Sequence, residues 1–139
     1  MPTRFDTPQD AEDAFYDAID DNDLDAMMGV WDESDDSACL LPMQPLVRGH
    51  GKIREAWASL LSGKYDVDIE VRHIHWIEIG DFAVHLLQER ANVQGQPQQQ
   101  PPVYATNVYR NGTGGWRIIL HQNSPTPPPP GMMPNPGSM

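Results

Sequence analysis

Apolar positions recur at helical spacing in the first half of the chain and at strand spacing in the second. Ala11, Ala14, Phe15, Ala18 and Ile19 fall at i, i+3, i+4, i+7 and i+8, one stripe of a helix. Thr7 is its N-cap candidate, and Pro8 suits the first helical position. Asp23 caps a second predicted helix, with Leu24, Met27, Met28 and Trp31 on one face. Residues 38–41 read as a short buried strand, followed by an irregular link at Pro42, Pro45 and Gly49. A third helix carries Ile53, Ala56, Trp57, Leu60 and Leu61, and Ser62-Gly63 ends it. From Tyr65 the period becomes two. Val67, Ile69, Val71, His73, His75, Ile77 and Ile79 are expected on one face of a long strand, with Ile74 and Trp76 on the other. A tight turn at Gly80-Asp81 leads into a strand over 82–93, and a Gln- and Pro-rich loop spans 94–102. Two strands, 105–110 and 116–122, form a closing hairpin around a turn at 111–115.

These elements predict an α+β fold, three helices in the first half packed on a curved antiparallel sheet. With Arg110 opposite Trp116, Val103, Ala105, Asn107 and Tyr109 share a face with Arg117, Ile119, His121 and Asn123. That register sets His121 beside Ala105 and Asn107 beside Ile119. The helices cover one face of the hairpin. The other face is also apolar, whereas an antiparallel sheet with one wet face alternates. A second copy of the chain is the simplest cover, so a homodimer is expected, with Trp76, Tyr104, Val108, Ile118 and Leu120 at the interface. The domain is expected to occupy residues 1–125. The Pro-rich segment 126–139 reads as a mobile tail, because proline makes neither helix nor central strand.

Composition narrows the function. The 139 residues suffice for one core. Formal net charge is -11, and 13 of the 20 acidic residues fall in residues 1–36 against Arg4 alone. Such a surface repels phosphate backbones and anionic lipid, so neither nucleic acid nor membrane is an expected partner. The acids themselves read as a solvated helix face. The sequence has no 18-residue apolar run and no apolar stretch with basic flanks after Met1, and its single Cys39 cannot form an internal disulfide. A cytoplasmic location follows as an expectation.

Candidate chemistry is sparse. Residues 21–25, Asp-Asn-Asp-Leu-Asp, resemble a calcium loop, but Ala26 stands where the loop needs Gly and Asp32 where it needs Glu. His73 and His75 alternate as two metal ligands would, yet no Cys or carboxylate with ligand spacing accompanies them. No metal or cofactor is therefore expected. Cys39 sits in an apolar strand where a thiolate is disfavoured. The aromatic residues and a few polar groups suit a small-molecule cavity, lined by Phe15, Trp31, Met43, Trp57, Asn107, Tyr109, Ile119 and His121. If the chain is an enzyme, His121 is the general acid/base and Asn107 the oxyanion donor, with Glu89 or Tyr109 as candidates to tune His121.

Several segments resemble one family. Phe15-Tyr16, the 21–28 run with Trp31, Arg48-Gly49-His50-Gly51, 105–110, and Gly115-Trp116-Arg117-Ile118 with His121 and Ser124-Pro125 are similar to the SnoaL-like proteins of the nuclear-transport-factor-2-like superfamily. Within it, the chain resembles ketosteroid-isomerase homologues and the association domain of calcium/calmodulin-dependent kinase. The resemblance covers about residues 7–125. It implies a cystatin-like cone with a cavity between helices and sheet, and a homodimer. It also implies where isomerase residues would lie. The catalytic base, which precedes a Pro, corresponds to Leu41. The helix-one Tyr corresponds to Phe15, with Tyr16 adjacent, and the oxyanion Asp corresponds to Asn107. With the base missing, steroid-isomerase chemistry is expected to be lost. Three functions remain in view: a dimeric small-molecule-binding domain with an apolar pocket, an isomerase or lyase acting on a small apolar carbonyl compound through His121 and Asn107, and a non-catalytic assembly module.

Overall fold

Thr7 and Asp23 start the first two helices by the same device. Each side-chain oxygen accepts from a backbone N–H three residues on, Asp10 N at 3.0 Å and Ala26 N at 3.0 Å. Helix α1 runs Pro8–Asp20 and α2 Leu24–Val30. The calcium-like run at 21–25 is thus a helix-to-helix turn with a cap. Strand β1, Ala38–Leu40, and a two-residue strand β2, Val47–Arg48, precede α3, His50–Leu60. Strands β3 (Val67–Ile79), β4 (Phe82–Val93), β5 (Val103–Gly112) and β6 (Gly115–Pro125) follow. A computed structural model describes residues 3–62, 67–93 and 101–125 of the chain. The expected helix stop at Gly63, the onset of alternation at Tyr65, most of the Gln-rich loop and the Pro-rich tail lie outside them.

The six strands form one sheet in the order β2-β1-β6-β5-β4-β3. All pairs are antiparallel except β1 with β6, which run parallel, so the sheet is mixed rather than purely antiparallel. Strand β2 was not foreseen; it pairs with β1 inside what reads as an irregular link. The helices pack on the concave face. Phe15, Met27, Trp31, Ile53, Leu87, Tyr109 and Ile118 are all buried there. The chain start is pinned at Gly115, where φ is +94° and an added Cβ would meet the Phe5 carbonyl oxygen at 2.5 Å. Only glycine allows Trp116 N to donate to that oxygen at 2.8 Å.

Two bulges change which side chains face inward. In the β3–β4 ladder His73 pairs with Leu87 but His75 with Leu86, leaving Ile74 extra. His73 and His75 therefore point to opposite faces, and Trp76 joins His73 on the concave side, against the expected alternation. In the β5–β6 ladder Tyr109 pairs with Ile118 but Val108 with Leu120, leaving Ile119 extra. Arg110 lies opposite Arg117 rather than Trp116, and His121 lies opposite Asn107 rather than Ala105. Asn107 and His121 still share a face. Ile118 and Trp116 turn into the core, at 0% and 5% exposure, and do not belong to the outer surface.

Cross-strand partners share a face, so the register defines rows across the sheet. One concave row runs Trp76, His85, Asn107, His121, Cys39. The neighbouring convex row runs Ile77, Val84, Val108, Leu120. Ile77, Phe82 and Leu86 expose 42%, 50% and 36% of their surface.

Candidate functional site

The concave face holds two buried polar clusters beneath α1, one helical turn apart at Glu12 and Tyr16. In the first, Glu89 of β4 accepts from the Tyr16 hydroxyl at 2.6 Å and from Asn123 Nδ2 at 2.8 Å. Asn107 Nδ2 donates to the Tyr16 oxygen at 3.1 Å, and Asn123 Nδ2 also donates to the Tyr104 carbonyl at 3.2 Å. Both amides are thereby oriented with their oxygens toward His121. His121 Nδ1 meets Asn107 Oδ1 at 2.5 Å and Nε2 meets Asn123 Oδ1 at 2.9 Å. An amide oxygen thus faces each ring nitrogen of His121. Glu89 Oε2 lies 4.0 Å from Nε2. Burial, reinforced by the Glu89 carboxylate, pushes the Tyr16 phenol well above its ordinary value, so it stays protonated and donates.

This cluster floors a cavity of about 580 Å³. Its walls are apolar: Ile19, Leu41, Trp57, Leu61, Ile69 and Val103 among them. Glu89, His121 and Asn123 supply polar surface, with Asn22 at the α1 end. The Trp57 indole N–H is buried without a hydrogen-bond partner among the described residues. Cys39, behind the cavity, is no nucleophile, since burial pushes its thiol up to about 12.

The second cluster centres on Glu12, which is 1% exposed. Its Oε2 accepts from the Tyr109 hydroxyl at 2.7 Å and contacts His85 Nδ1 at 2.7 Å; its Oε1 contacts His73 Nε2. Burial alone would raise the acid, but the hydrogen bonds from His85, Tyr109 and His73 outweigh it and hold Glu12 down at about 2. Burial, with the Glu12 charge beside it, pushes the Tyr109 phenol well up.

Of the expected pocket residues, Trp57 and His121 stand on the cavity wall. Phe15 is buried behind it, its ring 5.0 Å from that of His121 and 5.4 Å from that of Trp57. Trp31 is one layer deeper, 6.4 Å from Phe15. Asn107 is wholly buried and reaches the cavity only through His121 and Tyr16. Tyr109 serves the Glu12 cluster instead. Met43 is fully exposed, at 102%, in a positive-φ turn, and does not line the cavity. Ile119 is the bulged residue of β6 and is displaced from the concave row. Glu12, His85 and Asn123 were missed by sequence reasoning. Their signal was present: Glu12 lies on the apolar stripe of α1, three and four residues before Phe15 and Tyr16, and His85 and Glu89 alternate in phase with buried Ala83 and Leu87.

Comparison with known proteins agrees with this architecture. A candidate calcium/calmodulin-dependent protein kinase type II association domain from Thiobacillus denitrificans is 34% identical, with a TM-score of 0.84 over 91% of this chain and 99% of that one. A candidate dehydratase of the NTF2-like family from Streptomyces avermitilis is 26% identical, with a TM-score of 0.75 over 84% of this chain and 91% of that one. The F-box protein SKIP8 of Arabidopsis thaliana is 26% identical over 110 residues, 79% of this chain; the match spans only 46% of that protein. The fold is the cystatin-like α+β fold. None of the helices among the described residues is long and apolar enough to cross a membrane. Residues 9–128 match the SnoaL-like domain, and the chain belongs to that family, within the NTF2-like superfamily.

Proposed function

We propose that the chain is a small-molecule-binding domain that pairs with a second copy through the convex face of its sheet. The observation that carries the binding reading is the cavity with apolar walls and a polar floor already satisfied from within the protein. Apolar area supplies affinity in such a pocket, and the few polar groups fix orientation. Asn107 does not reach the cavity, and of the polar groups that line it we assign the ligand's polar end to the Glu89 carboxylate. A carboxylate has lone pairs beyond the two occupied here, and it accepts but does not donate. The ligand is therefore an apolar molecule with a hydroxyl or amine at one end, rather than a bare carbonyl. Leu41, where an isomerase would need its base, presents only carbon to the cavity. Isothermal titration with a matched hydroxyl, ketone and hydrocarbon tests this. The hydroxyl compound should bind about tenfold more tightly than the other two, the equivalent of one good hydrogen bond. Equal affinities would remove Glu89 as the recognising group.

One observation favours a second reading, a lyase or isomerase. His121 and Glu89 stand on one wall with Nε2 and Oε2 4.0 Å apart, an imidazole beside a carboxylate, the residue types that general acid–base catalysis uses. The similarity to a candidate dehydratase is consistent with it. Turnover of a steroid enone or a small hydroxy-carbonyl compound well above buffer, abolished by His121→Ala, would replace the binding reading by the enzymatic one. The pairing reading rests on the aliphatic row Ile77, Val84, Val108, Leu120 and on exposed Phe82 and Leu86 beside it. It revises the expected interface, because Trp76 and Ile118 face the other way.

A further inference from the structure

We propose that Glu12, His73 and His85 form a binding site for a divalent transition-metal ion, zinc in the first instance. Three separate elements, α1, β3 and β4, bring one carboxylate and two imidazoles together, with their ligand atoms all within 4.8 Å of one another. None of the three lines the cavity floored by Glu89 and His121. Two histidines and one carboxylate are a donor set that zinc and the neighbouring divalent metals accept, leaving further positions for water or a small ligand.

The surroundings fit an ion. Tyr109 donates to Glu12 Oε2 at 2.7 Å from the side, the outer hydrogen bond that aims a ligating carboxylate. The His73 side chain is 28% exposed, which opens the cluster to solvent on the β3 side. Trp76 packs against both imidazoles, with ring centroids 5.8 Å from His73 and 6.4 Å from His85, and forms an apolar wall beside the site. Around a tetrahedral ion with bonds of about 2.1 Å, neighbouring ligand atoms stand ~3.4 Å apart. Glu12 Oε2 and His85 Nδ1 are 2.7 Å apart, so the carboxylate would withdraw by less than about 1 Å to admit the ion. A buried carboxylate also requires a compensating positive charge. A divalent ion supplies it while both histidines serve as neutral ligands.

The test is zinc titration of the full chain after dialysis against a chelator, by calorimetry and by competition with a chromophoric zinc indicator. One ion per chain should bind. His73→Ala, at a partly exposed position where folding is least at risk, should weaken binding at least about tenfold, and Tyr109→Phe, which removes only the outer hydrogen bond, should weaken it to a smaller degree. His75→Ala, on the opposite face of β3, should bind as the wild type does. Cobalt in place of zinc should give a ligand-field absorption that His73→Ala loses. Absence of stoichiometric binding, or equal affinity in the wild type and His73→Ala, would overturn the site and leave the cluster a metal-free ionic triad.

Discussion

The two faces of the sheet reverse the usual distribution of polarity. On the concave, buried face, adjacent rows carry His85, Asn107, His121, Glu89 and Asn123. On the convex face the row Ile77, Val84, Val108, Leu120 is aliphatic, and Ile77 beside Phe82 and Leu86 is substantially exposed. The exposed aliphatic row adds nothing to a lone chain, and the buried polar groups stabilise it only because each is paired within the protein. Buried polar groups cost free energy unless each finds a partner, and exposed aliphatic rows forgo burial. Each face suits a second molecule, a small ligand or ion on one side and another protein surface on the other. The concave face is also divided in itself. Glu12 is held by two imidazoles and a phenol, whereas Glu89 is held by a phenol and an amide with its imidazole at 4.0 Å. The first geometry gathers electron-pair donors around a point, and the second lines a wall.

The largest break in this contrast should come from removing Glu12. Glu12→Ala strands His85 and Tyr109 in the core. Breaking a buried ionic cluster from one side costs about 3–5 kcal/mol, which corresponds to a fall in Tm of about 10–20 °C for a domain of this size. Calorimetry at neutral pH checks it. A fall of only a degree or two would mean that the cluster contributes little to folding.

The same carboxylate sets the acid limit. Its folded pKa of about 2 lies below the ordinary 4.5. A depressed acid contributes stability that is complete above its unfolded pKa and is lost as pH falls from 4.5 toward 2. Up to about 3 kcal/mol should disappear across that window. Urea midpoints of the chelator-treated protein at about pH 6 and about pH 3 should diverge strongly in the wild type and much less in Glu12→Gln. Parallel losses in both proteins would assign the acid sensitivity to other carboxylates.

The convex row should respond through association rather than folding. Val108→Asp puts a charge at its centre, and pairing should weaken roughly 100-fold, about 3 kcal/mol, with the secondary structure retained. Sedimentation at matched concentrations measures it. A wild-type monomer at tens of micromolar, roughly the range of a weak interface, would remove the reason for the row.

Much of this was legible from the chain itself. Caps at Thr7 and Asp23 and the change of period near residue 67 locate helices and strands, because local hydrogen bonds and one-sided burial leave periodic marks. The clusters were harder. Glu12 was absorbed into an acidic run that reads as a solvated face, although its place on the stripe of Phe15 and Tyr16 set it apart. The faces of β3 and β6 could not be read because Ile74 and Ile119, the two bulged residues, are ordinary strand residues with no glycine to announce them. A one-residue slip reverses every side chain beyond it. In the hairpin two such slips add: the turn register differs by one residue and the Ile119 bulge contributes a second, so Asn107 and His121 keep a common face while Trp116 and Ile118, between the two slips, are reversed.

The smallest effect should be at His75, and it tests the bulge directly. Regular alternation would give His73 and His75 the same face and comparable importance. The bulge at Ile74 separates them: His73 contacts Glu12, while His75 pairs with Leu86 on the convex side and is exposed. A surface substitution away from buried partners usually changes stability by no more than about 0.5 kcal/mol. His75→Ala should therefore leave Tm within about 2 °C of the wild type. His73→Ala removes a hydrogen bond to a buried carboxylate, worth about 1.5–3 kcal/mol, and should lower Tm several-fold further. Equal effects at the two positions would show that the strand alternates without interruption. The register that aligns Trp76, His85, Asn107 and His121 in one row would then be wrong at its β3 end.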